Sequence, residues 1–504
     1  MFKRFFFILT IFFATAFAVM AQDFKNQINV INPETIAYDW DFNVIPDGTT
    51  LTAWNGPGVN GNGIATYFNI HDKDGNSIFP DGAMLVDELP SKLYTTAKQL
   101  SLIDRDNNTI IAYQTLDNAV DAGLESNVNE NYRLYKISPE GEMLWGEHGI
   151  DLNRGKYSEA TQGCLSMVQI EDGSYYFAWV EYTWNGDYEI GTIHLERVSQ
   201  DGEMLWDEPV ILGDGVTPMT FPYLVNAGNN QVIMVYAKGS GQELNAKKLD
   251  FDGTEVWNSD TRIYRNGFGS IPIWTFLKVQ ADGEGGVFVG WYDDRNGTNF
   301  ERTYLAHVLS NGEHGFVSEE GGEAIAYTDT LRSFAPSIYY DKENQYVYVL
   351  RRETSHGQGF SRLMLQKMSM SGELLWDSEG VEVYPYEETY LGYENISDDG
   401  DGNIAIFFMK NKKTSDSDNV VNLFMKVSKE DGSVVLDPIA FSPTTENRAN
   451  LKISKLINNE YWIAMWEDKR ILPTDDTNVD ITELPSRLYM QKILKDGTVE
   501  SNDF

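Results

Sequence analysis

Short runs of alternating apolar and polar residues fill the chain. "CLSMVQI", "YYFAWVEY", "GTIHLERV" and "MLWDEPVIL" follow one another between residues 164 and 212, each bounded by Gly, Asp or Asn. A period of two, enrichment in Val, Ile, Tyr and Trp, and such boundaries predict strands joined by hairpins. The Asp-Gly pairs between them supply the positive φ that tight turns need. No amphipathic helix pattern follows residue 21. The pattern predicts an all-β chain made of four-stranded units.

Two markers count those units. A Gly precedes a Trp by four places in "SPEGEMLW" (Gly141, Trp145), "SQDGEMLW" (Gly202, Trp206), "DFDGTEVW" (Gly253, Trp257) and "SMSGELLW" (Gly372, Trp376), with degenerate copies at Gly75, Gly312, Gly432 and Gly497. The eight glycines are 66, 61, 51, 59, 60, 60 and 65 residues apart. In phase with them, a turn and an apolar run end at Trp54, Tyr113, Trp179, Tyr236, Trp291, Leu350, Phe408 and Trp466, where only Leu350 is not aromatic. A four-stranded unit of this size cannot bury both its faces alone, and radial stacking into a closed ring does so. The expected fold is an eight-bladed β-propeller of antiparallel four-stranded blades. The repeated tryptophans are read as packing between blades: burying one removes about 150–250 Å² from water, worth about 4–6 kcal/mol as an upper bound. The last unit stops at "DGTVESNDF" without a final strand, and "QINVINPETIAYDW" near the start looks like the close of other units. Gln27–Asn32 is therefore expected to complete blade eight.

The first 21 residues read as an export signal: Lys3 and Arg4, the apolar run "FFFILTIFFATAFAV", then "VMA" before Gln22. The run is about 15–17 residues, short of the roughly 20 that a spanning helix needs. The expected organisation is a signal peptide over 1–21 and one propeller domain over 22–504. The formal net charge of −37 becomes −39 on cleavage, which repels nucleic acid and anionic lipid. Cys164 is the single cysteine, so no intramolecular disulfide forms, and its setting in "GCLSMVQI" reads as a small core residue.

"ADGEGGVFVGWYDDRNG" and "WIAMWEDKR", together with the DG-x-x-L-W element, resemble the Gly-Gly, W-x-D-x-R repeats of secreted bacterial β-propeller proteins, over essentially all of residues 27–504. The resemblance implies the fold and no particular reaction. It implies structural pairing of Asp293 with Arg295 and of Asp468 with Arg470. The Gly-to-Trp step is also similar to the tryptophan-docking motif of quinoprotein-type propellers, among which are quinone dehydrogenases and non-catalytic scaffolds of outer-membrane assembly. The Asp and Thr of the fuller motif are missing, and one cysteine cannot make the vicinal disulfide usual in the dehydrogenases, so the enzyme branch is disfavoured.

Catalytic and metal motifs are sparse. The six histidines form no H-E-x-x-H pair, and no nucleophile elbow or phosphate loop occurs. No catalytic or metal residue and no cofactor is assigned. "HDKDGN" (Asp72, Asp74) and "SDDGDGN" (Asp398, Asp399, Asp401) are the best Ca²⁺ candidates, but turn geometry alone explains them. The turns joining first to second and third to fourth strands are short. Connections from second to third strands vary, and units two and eight insert "LDNAVDAGLESNVNENY" and "ILPTDDTNVDITELPS". Blades eight and two flank blade one, so a binding face is expected there, involving Trp184, Asp117, Asp121, Asp475, Asp476 and Asp480.

The first functional reading is a non-catalytic exported propeller acting as a protein-binding scaffold, in the periplasm or secreted, as a component of an outer-membrane secretion or assembly machine. No direct membrane insertion is expected. A chain ending with its last blade favours the periplasm. The alternatives are a polysaccharide-binding protein and a carboxylate-dependent enzyme on glycosides, using two of the 76 acidic residues in the central funnel.

Overall fold

The computed structural model describes residues 28–29, 37, 39–59, 64–79, 82–89, 100–117, 129–152, 161–184, 186, 189–239, 243–265, 277–295, 301–318, 320–326, 330–334, 336–411, 420–469 and 486–499. The fold is the expected one: an all-β propeller of eight antiparallel blades. In chain order the blades begin at Asp39, Ser101, Thr161, Met219, Lys278, Arg332, Tyr390 and Arg448. Each blade runs outward from a first strand beside the central channel to a fourth strand at the rim. Hydrophobic clusters fill the spaces between neighbours: Trp40, Phe42 and Trp54 of blade one meet Ile463, Met465 and Met490 of blade eight, closing the ring. Backbone pairing closes the ring as well. Ile28 and Asn29 pair antiparallel with Met490 and Tyr489, so the leading strand is the outer strand of blade eight and covers an edge that would otherwise expose its backbone groups. Gln27 and residues 30–32 of that expected strand lie outside the described residues.

The Gly-to-Trp phrase is a hook between blades. Trp145 donates its Nε1–H to the Gln200 carbonyl at 2.9 Å, Trp257 to Ser310 at 3.0 Å, Trp376 to Glu430 at 3.2 Å and Trp206 to Phe251 at 3.3 Å. Each acceptor lies in the hairpin turn of the following blade, and the glycine of that turn lies against the indole. A Cβ on Gly202 would sit 2.9 Å from Trp145, and one on Gly312 2.9 Å from Trp257. Both glycines have φ of +87°, so only glycine satisfies turn and contact together. The hook also corrects one expected strand. "MLWDEPVIL" contributes only Val210–Leu212 to the sheet, because Trp206 turns away to reach blade four.

A third marker emerges from the register. Two places before the third-to-fourth-strand turn stand Lys136, Arg197, Lys248, His307, Lys367, Lys426 and Lys492, with Ile70 in blade one. The polar members of this column tie turns together. Lys136 pairs with Asp104 at 3.3 Å, His307 with Asp282 at 2.9 Å, Lys426 with Asp399 at 3.2 Å and Arg197 with Asp172. Lys248 donates instead to the Ser310 carbonyl at 3.1 Å and Lys367 to Lys429 at 3.1 Å. Burial pushes the Asp282 carboxyl up, but hydrogen bonds from His307 and from the Glu284 and Gly286 amides outweigh it and hold the group below its usual range.

Candidate functional site

The residue that ends each second-strand run occupies one slot per blade. In blade five Trp291 donates to Asp293 Oδ2 at 2.9 Å, and Arg295 grips the same carboxylate through Nε (2.8 Å) and Nη2 (2.6 Å). The expected structural pairing of Asp293 with Arg295 is thus present. Asp468 also accepts from its blade's aromatic, Trp466, at 3.2 Å, but its described partner is Arg448 at 2.8 Å; Arg470 lies outside the described residues. In blade six the slot belongs not to Leu350 but to Arg351. Val347 pairs with Met368 as Val287 pairs with Val308, and four residues on from each stand Arg351 and Trp291. Arg351 donates its Nε–H to Glu353 at 2.9 Å, and both side chains are fully buried.

Bulges in the first strands make room beside these slots. Cys164, Phe221, Tyr393 and Asn450 have φ of +57°, +53°, +54° and +56°. The ladder skips at each of them, opposite Trp179, Tyr236, Phe408 and Trp466. A non-glycine residue in this region costs about 1–2 kcal/mol, and a bulge re-aims the side chains around it. Cys164 is accordingly half-buried, 3.7 Å from the Tyr182 hydroxyl, rather than a fully buried core residue.

Charged groups gather on the channel half where the first strands begin. Lys452 of blade eight donates to the Trp40 carbonyl at 2.6 Å, lies 3.5 Å from Asp41 Oδ1 and sits 4.4 Å over the Trp40 ring. Glu467 accepts from Trp40 Nε1 at 2.7 Å, from Ser486 at 3.1 Å and from Asn450. Burial raises the carboxyl of Asp39 above its usual range; Lys452 opposes this, and Asp41 and Glu467 add to it. Arg352 pairs with Glu394 at 3.6 Å. Lys278 is open to channel water yet surrounded by protein, and that crowding pushes its ammonium below the lysine range, against Glu394 and with Lys452. Farther along, the channel widens into a space of about 400 Å³ lined by Gln280, Tyr339, Asn395, Ser397, Asp398 and Lys455. A general-acid hydrolysis needs a second carboxylate free to act as base or nucleophile. Here Glu467 is held by three donors and Asp41 lies 3.5 Å from Lys452.

Of the sequence-predicted site, Asp117 and Trp184 end the second strands of blades two and three, paired with Asn129 and Glu189. That places their backbone at the face where second strands pass to third. Their side chains, and Asp121, Asp475, Asp476 and Asp480, lie outside the described residues. The strands on either side of 118–128 and of 469–486 belong to blades two and eight, the neighbours of blade one in the ring; the connections themselves lie almost wholly outside the described residues. The Ca²⁺ candidates act as turn caps: Asp72 Oδ1 accepts from the Asp74 and Asn76 amides at 2.9 and 2.8 Å, and Asp399 Oδ1 from those of Asp401 and Asn403. Among the described residues no group of three or more His, Cys, Asp or Glu is placed to hold a metal ion.

No family model matches the chain, and no curated protein does. Solved structures of low similarity do. A protein of unknown function from Dyadobacter fermentans is 10% identical, with 93% of this chain and 97% of that one covered and a TM-score of 0.36. The β-propeller domain of the Trilobed protease from Pyrococcus furiosus is 8% identical, covering 82% and 97%, with a TM-score of 0.38. An endo-arabinase from Bacteroides thetaiotaomicron is 12% identical, covering 53% and 92%, with a TM-score of 0.31.

Proposed function

We propose that the protein is an exported, non-catalytic propeller that binds a protein partner through the face carrying the second-to-third-strand connections. The observation that supports this most is the asymmetry of the two faces. One face consists of short turns whose Asp and Ser side chains are used in capping and ion pairs; the other bears the long connections of blades two and eight on either side of blade one. Loops of unequal length on a rigid ring are where recognition concentrates. Trp184, Asp117, Asp121, Asp475, Asp476 and Asp480 are the proposed contacts. The proposed setting is the periplasm after removal of residues 1–21, with the partner in an outer-membrane secretion or assembly complex. The test is affinity capture from the native cell envelope with the mature chain and with a deletion of 472–485. Loss of a specific partner from the deletion supports the reading, and the same partner profile from both overturns it.

A second reading, an enzyme on polysaccharide, draws on Asp39, whose carboxyl is shifted upward by burial, the direction that favours a general acid. Release of reducing ends by the mature chain, abolished by Asp39→Asn, would favour that reading over the scaffold.

A further inference from the structure

Among the described residues, three cations have neither a hydrogen bond nor an ion pair: Lys238, Lys278 and Lys455. In a chain with 39 Lys and Arg against 76 Asp and Glu, counter-ions are plentiful, so an ammonium without one stands out. Two of the three belong to the central channel. Lys278 opens the first strand of blade five, and Glu394 of blade seven and Lys452 of blade eight both act on its charge. Its exposed side chain therefore reaches into the channel. Lys455 lies just past the first strand of blade eight and lines the space of about 400 Å³ in the channel. That space also touches blades five, six and seven, through Gln280, Ile338 and Ile396, and only the channel adjoins four blades at once.

The wall between the two lysines is amphipathic. Lys278 and Gln280 are two places apart on one strand, so they share a face at about 7 Å spacing. The Gln280 side-chain amide has no partner either. Ile338, Ile396, Ile453 and Leu456 line the space half-buried. The acidic groups nearby are engaged: Glu394 pairs with Arg352 at 3.6 Å, and Asp398 accepts from Tyr339 and from Lys429 at 2.9 Å each. Burial lowers the pKa of Lys278, and Glu394 offsets this only in part, as expected of a cation whose counter-ion is missing.

We propose that the channel between Lys278 and Lys455 binds a small monocarboxylate with an apolar body, of the medium-chain fatty or arylalkanoic acid class, independently of the partner face above. The carboxylate supplies the charge that Lys278 lacks, and the Gln280 amide donates beside it. The apolar body covers the Ile and Leu side chains that otherwise face channel water. Lys455, toward the turn face, draws the anion in. A neutral ligand would leave both ammoniums unpaired. A small dianion such as phosphate would be repelled by Glu394 and Asp398 and would leave the aliphatic wall wet. The volume falls within the roughly 300–1,000 Å³ of small-molecule sites.

Calorimetric titration of the mature chain with octanoate, 3-phenylpropionate, octanamide and inorganic phosphate tests this. At least one of the two acids is expected to bind saturably, tenfold or more tighter than octanamide and phosphate. Lys278→Met is expected to weaken that binding tenfold or more. Lys238→Met, which removes the unpaired lysine outside the channel, is expected to leave it unchanged. Met keeps the apolar stem of an exposed side chain, so an unaltered melting temperature certifies the fold. If Lys278→Met does not fold, the preference for acid over octanamide in the unaltered chain decides, together with a several-fold loss in Lys455→Met. No binding of either acid, equal binding of octanamide, or binding that survives Lys278→Met or falls equally in Lys238→Met overturns the proposal.

Discussion

Blades four and five place different chemistry in the same backbone slot. In blade five Trp291, Asp293, Arg295 and Tyr304 interlock, with the guanidinium 3.7 Å from the centre of the Tyr304 ring. In blade four Tyr236 and Asn245 replace the two rings, and a cleft opens. The repeat thus conserves a position in a ladder, and each blade is free to fill it with an aromatic or an ion pair.

Blade six gives the strongest contrast, because its slot holds a charge. Glu353 accepts from Arg351 and also from Arg362 Nε at 2.8 Å, in full burial. Removing one partner of such a pair leaves an uncompensated charge, at a cost of about 3–5 kcal/mol. Glu353→Ala is expected to lose that much in urea denaturation, whereas Arg351→Met combined with Glu353→Met loses far less. Equal losses would mean that the slot tolerates a bare guanidinium and that its contents do not matter.

Blade one differs at the last residue of its third strand. His71 stands where the other blades carry Ile137, Val198, Leu249, Val308, Met368, Val427 and Ile493. Burial lowers its pKa to about 4, against a smaller opposing effect of Asp72. The unfolded chain then takes up the proton first, near pH 6.5. His71 therefore lets stability stand in full above that pH and lose about 3 kcal/mol as the pH falls from about 6.5 to 4. His71→Val is expected to remove this loss from a series of melts, and an unchanged acid limb would show that His71 is hydrated in the folded state.

Much of this was legible in the residues themselves. The Gly-to-Trp step survives in sequence because two constraints, a positive φ and an indole face, fall on one glycine. The closing strand was readable from its likeness to other fourth strands. The column from Lys136 to Lys492 was not, because Lys, Arg and His substitute for one another there and the register is needed to align them. Arg351 was missed because the "DKENQ" turn of blade six shifts its second strand by one place, so that Leu350 looked like the landmark. Asn245 carries no local signal: an isolated Asn in "ELNAKKL" becomes notable only when the register sets it level with Tyr67, Arg133, His194, Tyr304, Met364, Leu423 and Tyr489. The partner loops have no such counterparts to compare.

The hook between blades offers a control of its own. Gly312 and Gly215 both have positive φ, +87° and +69°. A methyl on Gly312 meets Trp257 at 2.9 Å, whereas one on Gly215 meets open space. Both Gly→Ala substitutions pay the left-handed penalty of about 1 kcal/mol, and only Gly312→Ala adds overpacking, about 2 kcal/mol more. Equal melting temperatures for the two variants would mean that the indole moves aside freely and that the Gly-to-Trp spacing serves the turn alone.

The smallest expected difference lies between two tryptophans in the same slot. Trp291 donates to Asp293, whereas Trp54 has Gly56 two places on, where Trp291 has its aspartate, and its buried Nε1 has no partner. Both indoles are 1% exposed, so Trp→Phe removes similar packing from each. Trp291→Phe also removes a hydrogen bond to a buried carboxylate, while Trp54→Phe relieves an unsatisfied donor. The blade-one variant should therefore lose about 1–2 kcal/mol less in denaturant titrations. If Trp54→Phe costs as much or more, its N–H finds an acceptor in solution, and the blade-one indole is satisfied as the blade-five indole is.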